Sequence, residues 1–91
     1  MERRKYLKKV YDITLEQYNE MYAEQGGRCR ICLKHETAKN QYGMKQLSVD
    51  HDHKTGKVRA LLCLRCNMAL GYVDDNPKLL IEAARYLMLH K

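Results

Sequence analysis

The chain has 91 residues, enough for one small domain and too few for two. A core of that size is marginal alone, so a staple such as a metal ion or a disulfide is expected. The net charge of +6 suits a polyanionic partner, and the lack of any long apolar run, repeat or low-complexity tract argues against a membrane role.

Residues 1–12 are basic, carrying Arg3, Arg4, Lys5, Lys8 and Lys9. No apolar stretch follows these charges, so the segment does not read as a secretory leader, and a reducing cytoplasm is the expected compartment. Tyr6, Val10 and Ile13 form only a weak helical stripe. The segment is expected as a basic N-terminal arm, either frayed in solvent or laid along phosphates.

A helix should follow. Thr14 suits its N-cap, and Gln17 three residues later completes a capping box. Leu15, Tyr18, Met21 and Tyr22 share one face at helical spacing, which reads as core. Gly26-Gly27 ends the helix, because glycine accepts the left-handed backbone a helix C-terminus often needs. The helix then delivers the chain to Cys29 at a fixed angle.

The four cysteines, Cys29, Cys32, Cys63 and Cys66, form two Cys-x-x-Cys pairs. Each pair can grip a tetrahedral ion from one tight turn, and together they supply four thiolates. In a reducing compartment this favours structural Zn²⁺ over disulfides. Such a site makes metal binding part of the folding free energy. His35 follows the first pair, but four thiolates already saturate zinc, so it reads as a surface residue. The stretch from Cys32 to Leu47 is polar and irregular, with Gly43 marking a turn.

From Leu47 to Cys63 the pattern is a β-hairpin. Leu47-Ser48-Val49-Asp50-His51-Asp52-His53 is the first arm, Lys54-Thr55-Gly56-Lys57 the turn, and Val58-Arg59-Ala60-Leu61-Leu62-Cys63 the second arm. In an unbroken strand Asp50 and Asp52 share one face, and His51 and His53 the other. A short helix beginning near Arg65 and running to Val73 should pack back on the hairpin through Ala69, Leu70 and Val73. Asn67 lies in its first turn, and closure of the zinc site implies that Asn67 sits near Asp50 and His51. Asp74-Asp75-Asn76-Pro77 then reads as a stop and restart, with Asn76 as cap and Pro77 at the first helical position. Leu79, Leu80, Ala83, Ala84, Tyr86 and Leu87 give the last helix a broad apolar face. It should pack on the Thr14 helix or on another copy of the chain. His90 lies at its frayed end.

Asp50-His51-Asp52-His53, Thr55-Gly56, Val58-Arg59-Ala60-Leu61-Leu62-Cys63 and Cys66-Asn67 together resemble the recombination endonuclease VII branch of the HNH (ββα-metal) nucleases. Thr14-Leu15-Glu16-Gln17-Tyr18 and Gly26-Gly27-Arg28-Cys29 look like the same family's approach to this core. The resemblance runs from about Ile13 to Gly71. It implies an α+β fold: a small zinc-stapled ββα-metal domain, its core over about 14–73, flanked by the arm at 1–12 and a C-terminal helix at 77–90. It also implies hydrolysis of DNA phosphodiester bonds with a divalent ion such as Mg²⁺ or Mn²⁺, leaving a 3′ hydroxyl and a 5′ phosphate.

The chemistry of the residues agrees with those roles. His51 aligns with the general base, and imidazole titrates near neutrality. Asp50 and Asn67 align with the ion's ligands, and both offer hard oxygen atoms. His53 has three readings: orienting the phosphate, serving as the base, or joining the metal shell. Asp52 reads as a turn residue or as support behind the ligands. The turn after Asn67 offers Ala69, Leu70 and Gly71 where the family often carries a third acidic or histidine group, so any third ligand comes from elsewhere or is water. Lys54, Lys57 and Arg59 are expected to contact the DNA backbone, with weak sequence preference and affinity that falls steeply with salt.

The competing reading is a zinc-stabilised nucleic-acid-binding module that never cuts. Symmetric resolution of a junction would need two active sites and hence a homodimer. A freestanding phage-type nuclease, acting with packaging or recombination proteins in the cytoplasm of an infected bacterium, fits the short chain equally well.

Overall fold

The computed structural model describes residues 2–91; Met1, the first residue of the expected arm, lies outside them. The element order is α1 (Arg3–Tyr11), α2 (Leu15–Glu24), β1 (Lys39–Asn40), β2 (Gly43–Met44), β3 (Ser48–His51), β4 (Val58–Leu62), α3 (Leu64–Tyr72) and α4 (Pro77–Leu89). β1 and β2 form one antiparallel pair and β3 and β4 the other. This is an α+β arrangement of four helices and two small sheets among the described residues.

The basic arm is a helix. Leu7 is its buried residue, while Tyr6 and Val10, two members of the expected stripe, are exposed. The stripe misjudged the face because α1 packs on α2 by tertiary contact. Three of its five cations are engaged. Arg4 Nη1 donates to both carboxylate oxygens of Glu16 at 2.8 Å each, Lys8 pairs with Asp12 at 2.8 Å, and the Arg3 guanidinium lies 4.4 Å from the Tyr18 ring centre. Exposed pairs of this kind add little stability, but they occupy cations that an unpaired arm would have offered to phosphates.

α2 forms as its residues require. The Thr14 hydroxyl accepts from the Gln17 N–H at 3.0 Å, and the Gln17 side chain accepts from the Thr14 N–H at 2.8 Å. Tyr18 is buried, and its hydroxyl donates to the Leu47 carbonyl at 2.7 Å, tying α2 to the strand entry. Gly27 has φ +72°, and a Cβ there would sit 2.9 Å from the Tyr22 hydroxyl, so only glycine closes this helix end without displacing Tyr22.

The core is one cluster of Leu7, Ile13, Tyr18, Cys29, Leu47, Val49, Leu61, Leu62 and Cys63. Leu61 sits opposite Val49 in the β3–β4 ladder. On the outer edge of β4, the Gln25 side-chain amide acts as a surrogate strand. It accepts from the Leu61 N–H at 2.9 Å and donates to the Leu61 carbonyl at 2.9 Å. An edge that would otherwise present bare polar groups is thereby covered.

α4 begins as expected, with the Asn76 side chain accepting from the Lys78 N–H at 2.9 Å and Pro77 in the first turn. It does not pack on α2. None of its residues is buried, and Leu79, Leu80, Ile81, Tyr86 and Leu87 all face solvent. Asp74 and Asp75, both left-handed at φ 53° and 56°, turn the chain away from the core before α4 starts. Among the described residues no helix is long and apolar enough to cross a membrane.

Candidate active site and metal centre

The four cysteine sulfurs lie within 4.8 Å of one another, and none is in a disulfide. The first pair sits in a tight turn after α2. There the Cys29 N–H donates to the Lys34 carbonyl at 2.9 Å and the Leu33 N–H donates to the Cys29 carbonyl at 3.0 Å. Leu33 takes φ 63° to close that turn. The second pair spans the end of β4 and the start of α3, with the Cys63 sulfur accepting from the Cys66 N–H at 3.5 Å. Glu36 braces the same helix start, its carboxylate accepting from the Leu64 N–H at 2.8 Å, where a negative charge is favoured.

This donor set fits a zinc-type ion. A tetrahedral ion with Zn–S near 2.3 Å needs sulfurs about 3.8 Å apart, and Cys32 and Cys63 are separated by 3.8 Å. The thiol acidities carry the same message. Burial works to raise Cys29, but hydrogen bonds from the backbone at Cys63, Cys32 and Ile31 bring it down to about 6. Burial and the neighbouring thiols push Cys66 up to about 12. Four sulfurs this close cannot all ionise against one another, and a dication removes that conflict. His35 stands apart from the sulfur cluster, with Nδ1 donating to the Gly27 carbonyl at 3.1 Å.

The clamp sets α3 against both strands of the hairpin. Asn67 is half-buried in the first turn of α3, and its N–H donates to the Cys63 carbonyl at 3.0 Å. The strand register breaks between Asp50 and His51. Asp50 pairs with Ala60 and His51 with Val58, so Arg59 is the extra residue of a bulge. Bulges re-aim side chains, and this one turns Arg59 onto Asp50. The guanidinium donates from Nε to Oδ2 at 2.6 Å and from Nη2 to Oδ1 at 2.9 Å. Asp50 is the one buried charged residue among those described. Its carboxylate raises the Arg59 pKa still further, with a smaller contribution from Asp75.

His51, at the end of β3, meets His53 just beyond it. Their ring centres are 4.7 Å apart, and the Tyr11 ring lies 5.6 Å from His51. His51 is thus held between a tyrosine of α1 and His53. Asp52 serves the turn. Its side chain accepts from the N–H groups of Lys54 at 2.8 Å and Thr55 at 3.1 Å, which hold its carboxyl below the usual range. Lys54 and Lys57 are exposed on that turn.

Sequence reasoning missed Asp75. Its Oδ2 lies 3.3 Å from Arg59 Nη2 and 3.9 Å from His53 Nε2. It helps line a cleft of about 750 Å³ with His53, Lys54, Arg59 and Asp52. Asp74-Asp75-Asn76-Pro77 carries a helix-break signal that accounts for the turn, and nothing in the spacing points Asp75 back to the hairpin.

A protein of Mycobacterium phage D29, the Gene 59 protein, is 49% identical over 79 residues, covering 86% of this chain and 45% of that protein. The Gene 59 protein of Mycobacterium phage L5 is 47% identical over 80 residues, covering 87% of this chain and 46% of its own length. The chain therefore spans a little under half the length of these curated relatives. No solved structure matches it. The family model for recombination endonuclease VII matches residues 4–89, nearly the whole chain, and the chain belongs to that family.

Proposed function

We propose that this chain is a metal-dependent DNA endonuclease of the HNH type, with β3, β4 and α3 as its ββα-metal unit. The observation that carries the reading is the convergence of Asp50, His51 and His53 at one end of the hairpin, beside a helix that the cysteine cluster clamps. A core needs neither a buried carboxylate nor two histidine rings in contact at its rim.

In this reading Asp50 and Asn67 hold the divalent ion. Arg59 occupies one lone pair on each Asp50 oxygen, and a carboxylate has about four such sites, so outward lone pairs remain for a cation. Mg²⁺ or Mn²⁺ bound there would neutralise charge on the phosphoryl oxygens and steady the departing 3′ oxygen. His51 accepts a proton from the attacking water at a ring nitrogen. Packing by Tyr11 and His53 limits the rotation of its ring, which favours a productive angle of attack. Lys54 and Lys57 contact the backbone from the hairpin turn. Arg59 instead serves the ion ligand. The substrate is DNA and the setting a phage-infected cell, as the family name and the phage relatives suggest.

Supercoiled plasmid with the zinc-loaded protein and Mg²⁺ or Mn²⁺ tests this. Nicking should appear with the wild-type chain and fall at least about 100-fold in His51→Ala, while zinc content and melting temperature hold. The bidentate hold of Arg59 on Asp50 favours the alternative, a zinc-stapled binder in which that pair is purely structural. Intact plasmid from folded protein under every metal would establish the alternative.

A further inference from the structure

The connection between α3 and α4 has one residue whose side chain is unexplained by the turn it occupies. Asp75 is fixed by its backbone: its N–H donates to the Leu70 carbonyl at 2.9 Å, and the Asn76 N–H donates to the Val73 carbonyl at 2.9 Å. The cap of α4 is Asn76. Among the described residues, the Asp75 carboxylate accepts from no backbone N–H. It faces the hairpin with its side chain only 22% exposed, its Oδ2 on Arg59 Nη2 at 3.3 Å.

We propose that Asp75 is a positioning residue of the cleavage site, acting through Arg59 to keep the Asp50 carboxylate aimed; this rests on the nuclease reading above. Arg59 is on the hairpin and Asp75 beyond α3, so carboxylates from two separate elements share one guanidinium. Asp50 takes Nε and Nη2, and Asp75 takes Nη2 again. A guanidinium is planar and rigid. Pinning Nη2 therefore resists rotation of the whole fork about its stem. Without Asp75, the cation is free to swing toward an incoming phosphate and leave Asp50 turning. The bound phosphate would then gain a contact while the reacting geometry loosens. Ground-state binding and turnover should move in opposite directions.

Two variants separate this role from a structural one. Asp75→Asn keeps a residue that tolerates the left-handed backbone and keeps an acceptor oxygen, but loses the charge. Asp75→Gly removes the side chain and relieves the backbone at φ 56°. Both should fold and keep zinc, with a melting temperature at or above wild type for the glycine variant. The probe is supercoiled plasmid with Mg²⁺ under steady-state conditions. Each variant should lose about tenfold in kcat with KM unchanged or lower, the size expected when a positioned group loosens. In an Arg59→Gln background the further loss from Asp75→Asn should shrink below twofold. Wild-type kcat in the stable Asp75→Gly protein overturns the proposal, as does an equal loss with and without Arg59. A wild-type chain that leaves plasmid intact refutes the nuclease reading itself, an outcome distinct from either.

Discussion

At the scale of single residues, the Asp50–Arg59 pair shows how burial decides the worth of a charge. The Asp50 side chain is 8% exposed and that of Arg59 37%. Removing Arg59 strands a buried carboxylate, whereas removing the Asp50 charge leaves Arg59 with Asp75 and some solvent. The two losses should therefore differ although they break the same contact. A fully buried pair broken from one side costs about 3–5 kcal/mol, and the exposure of Arg59 brings Arg59→Ala down to about 2 kcal/mol. Asp50→Asn retains an acceptor for Arg59 and should cost about 1 kcal/mol. Denaturant unfolding of the zinc-loaded variants measures both. A larger cost for Asp50→Asn than for Arg59→Ala would contradict the ordering that burial requires.

At the scale of elements, β4 depends on α2 through Gln25. The amide satisfies both outward groups of Leu61, and its nitrogen also donates to the Arg28 carbonyl at 2.8 Å. Gln25→Ala leaves the Leu61 N–H and the Arg28 carbonyl without their partner, while the Leu61 carbonyl keeps the Arg30 N–H at 3.1 Å; the loss costs about 2 kcal/mol. Gln25→Glu is the sharper test, since it preserves shape. A carboxylate still accepts from the Leu61 N–H but turns an acceptor toward two carbonyl oxygens where the amide had a donor. It should destabilise at least as much as alanine, and the unfolding midpoint in denaturant reports it. A neutral Gln25→Glu would mean that the amide does not pair with the strand. This contact was invisible in the sequence because it joins residues 36 positions apart. What was legible is local: the Thr14–Gln17 box, the Asn76–Pro77 restart and the Gly26-Gly27 stop each follow from chemistry within four residues. The exposed Tyr6 and Val10 were misread for the opposite reason, since a nine-residue helix takes its face from its neighbour. The convergence of the four cysteines was legible through their spacing. The contact of Arg59 with Asp50 was not, because it is set by a bulge, and that of Asp75 was hidden by two left-handed residues in a connection that read only as a turn.

At the scale of the whole molecule, the chain is elongated, 46 × 30 × 26 Å, with α4 outside the core. Two of the nine core residues are the cysteines Cys29 and Cys63. The apolar cluster and the cysteine cluster are thus one object, and an ion held there would replace packing that so short a chain does not provide. Domains this small have a net stability of about 5–15 kcal/mol or less, whereas a four-thiolate zinc site contributes about 10–16 kcal/mol. Removing the ion should then unfold the chain instead of loosening one end. Titrating the zinc-loaded protein with a strong chelator should release one equivalent of zinc. The hairpin, α2 and α3 should lose their amide protection in the same step, and zinc added back under reducing conditions should restore it. α4 touches the core least and should contribute little to that transition, so Leu87→Gln should move its midpoint by no more than about 0.5 kcal/mol. A chelated chain that still protects the amide of Leu61 would separate the sulfur cluster from the fold. Asn67 would then have no reason to stay beside the hairpin.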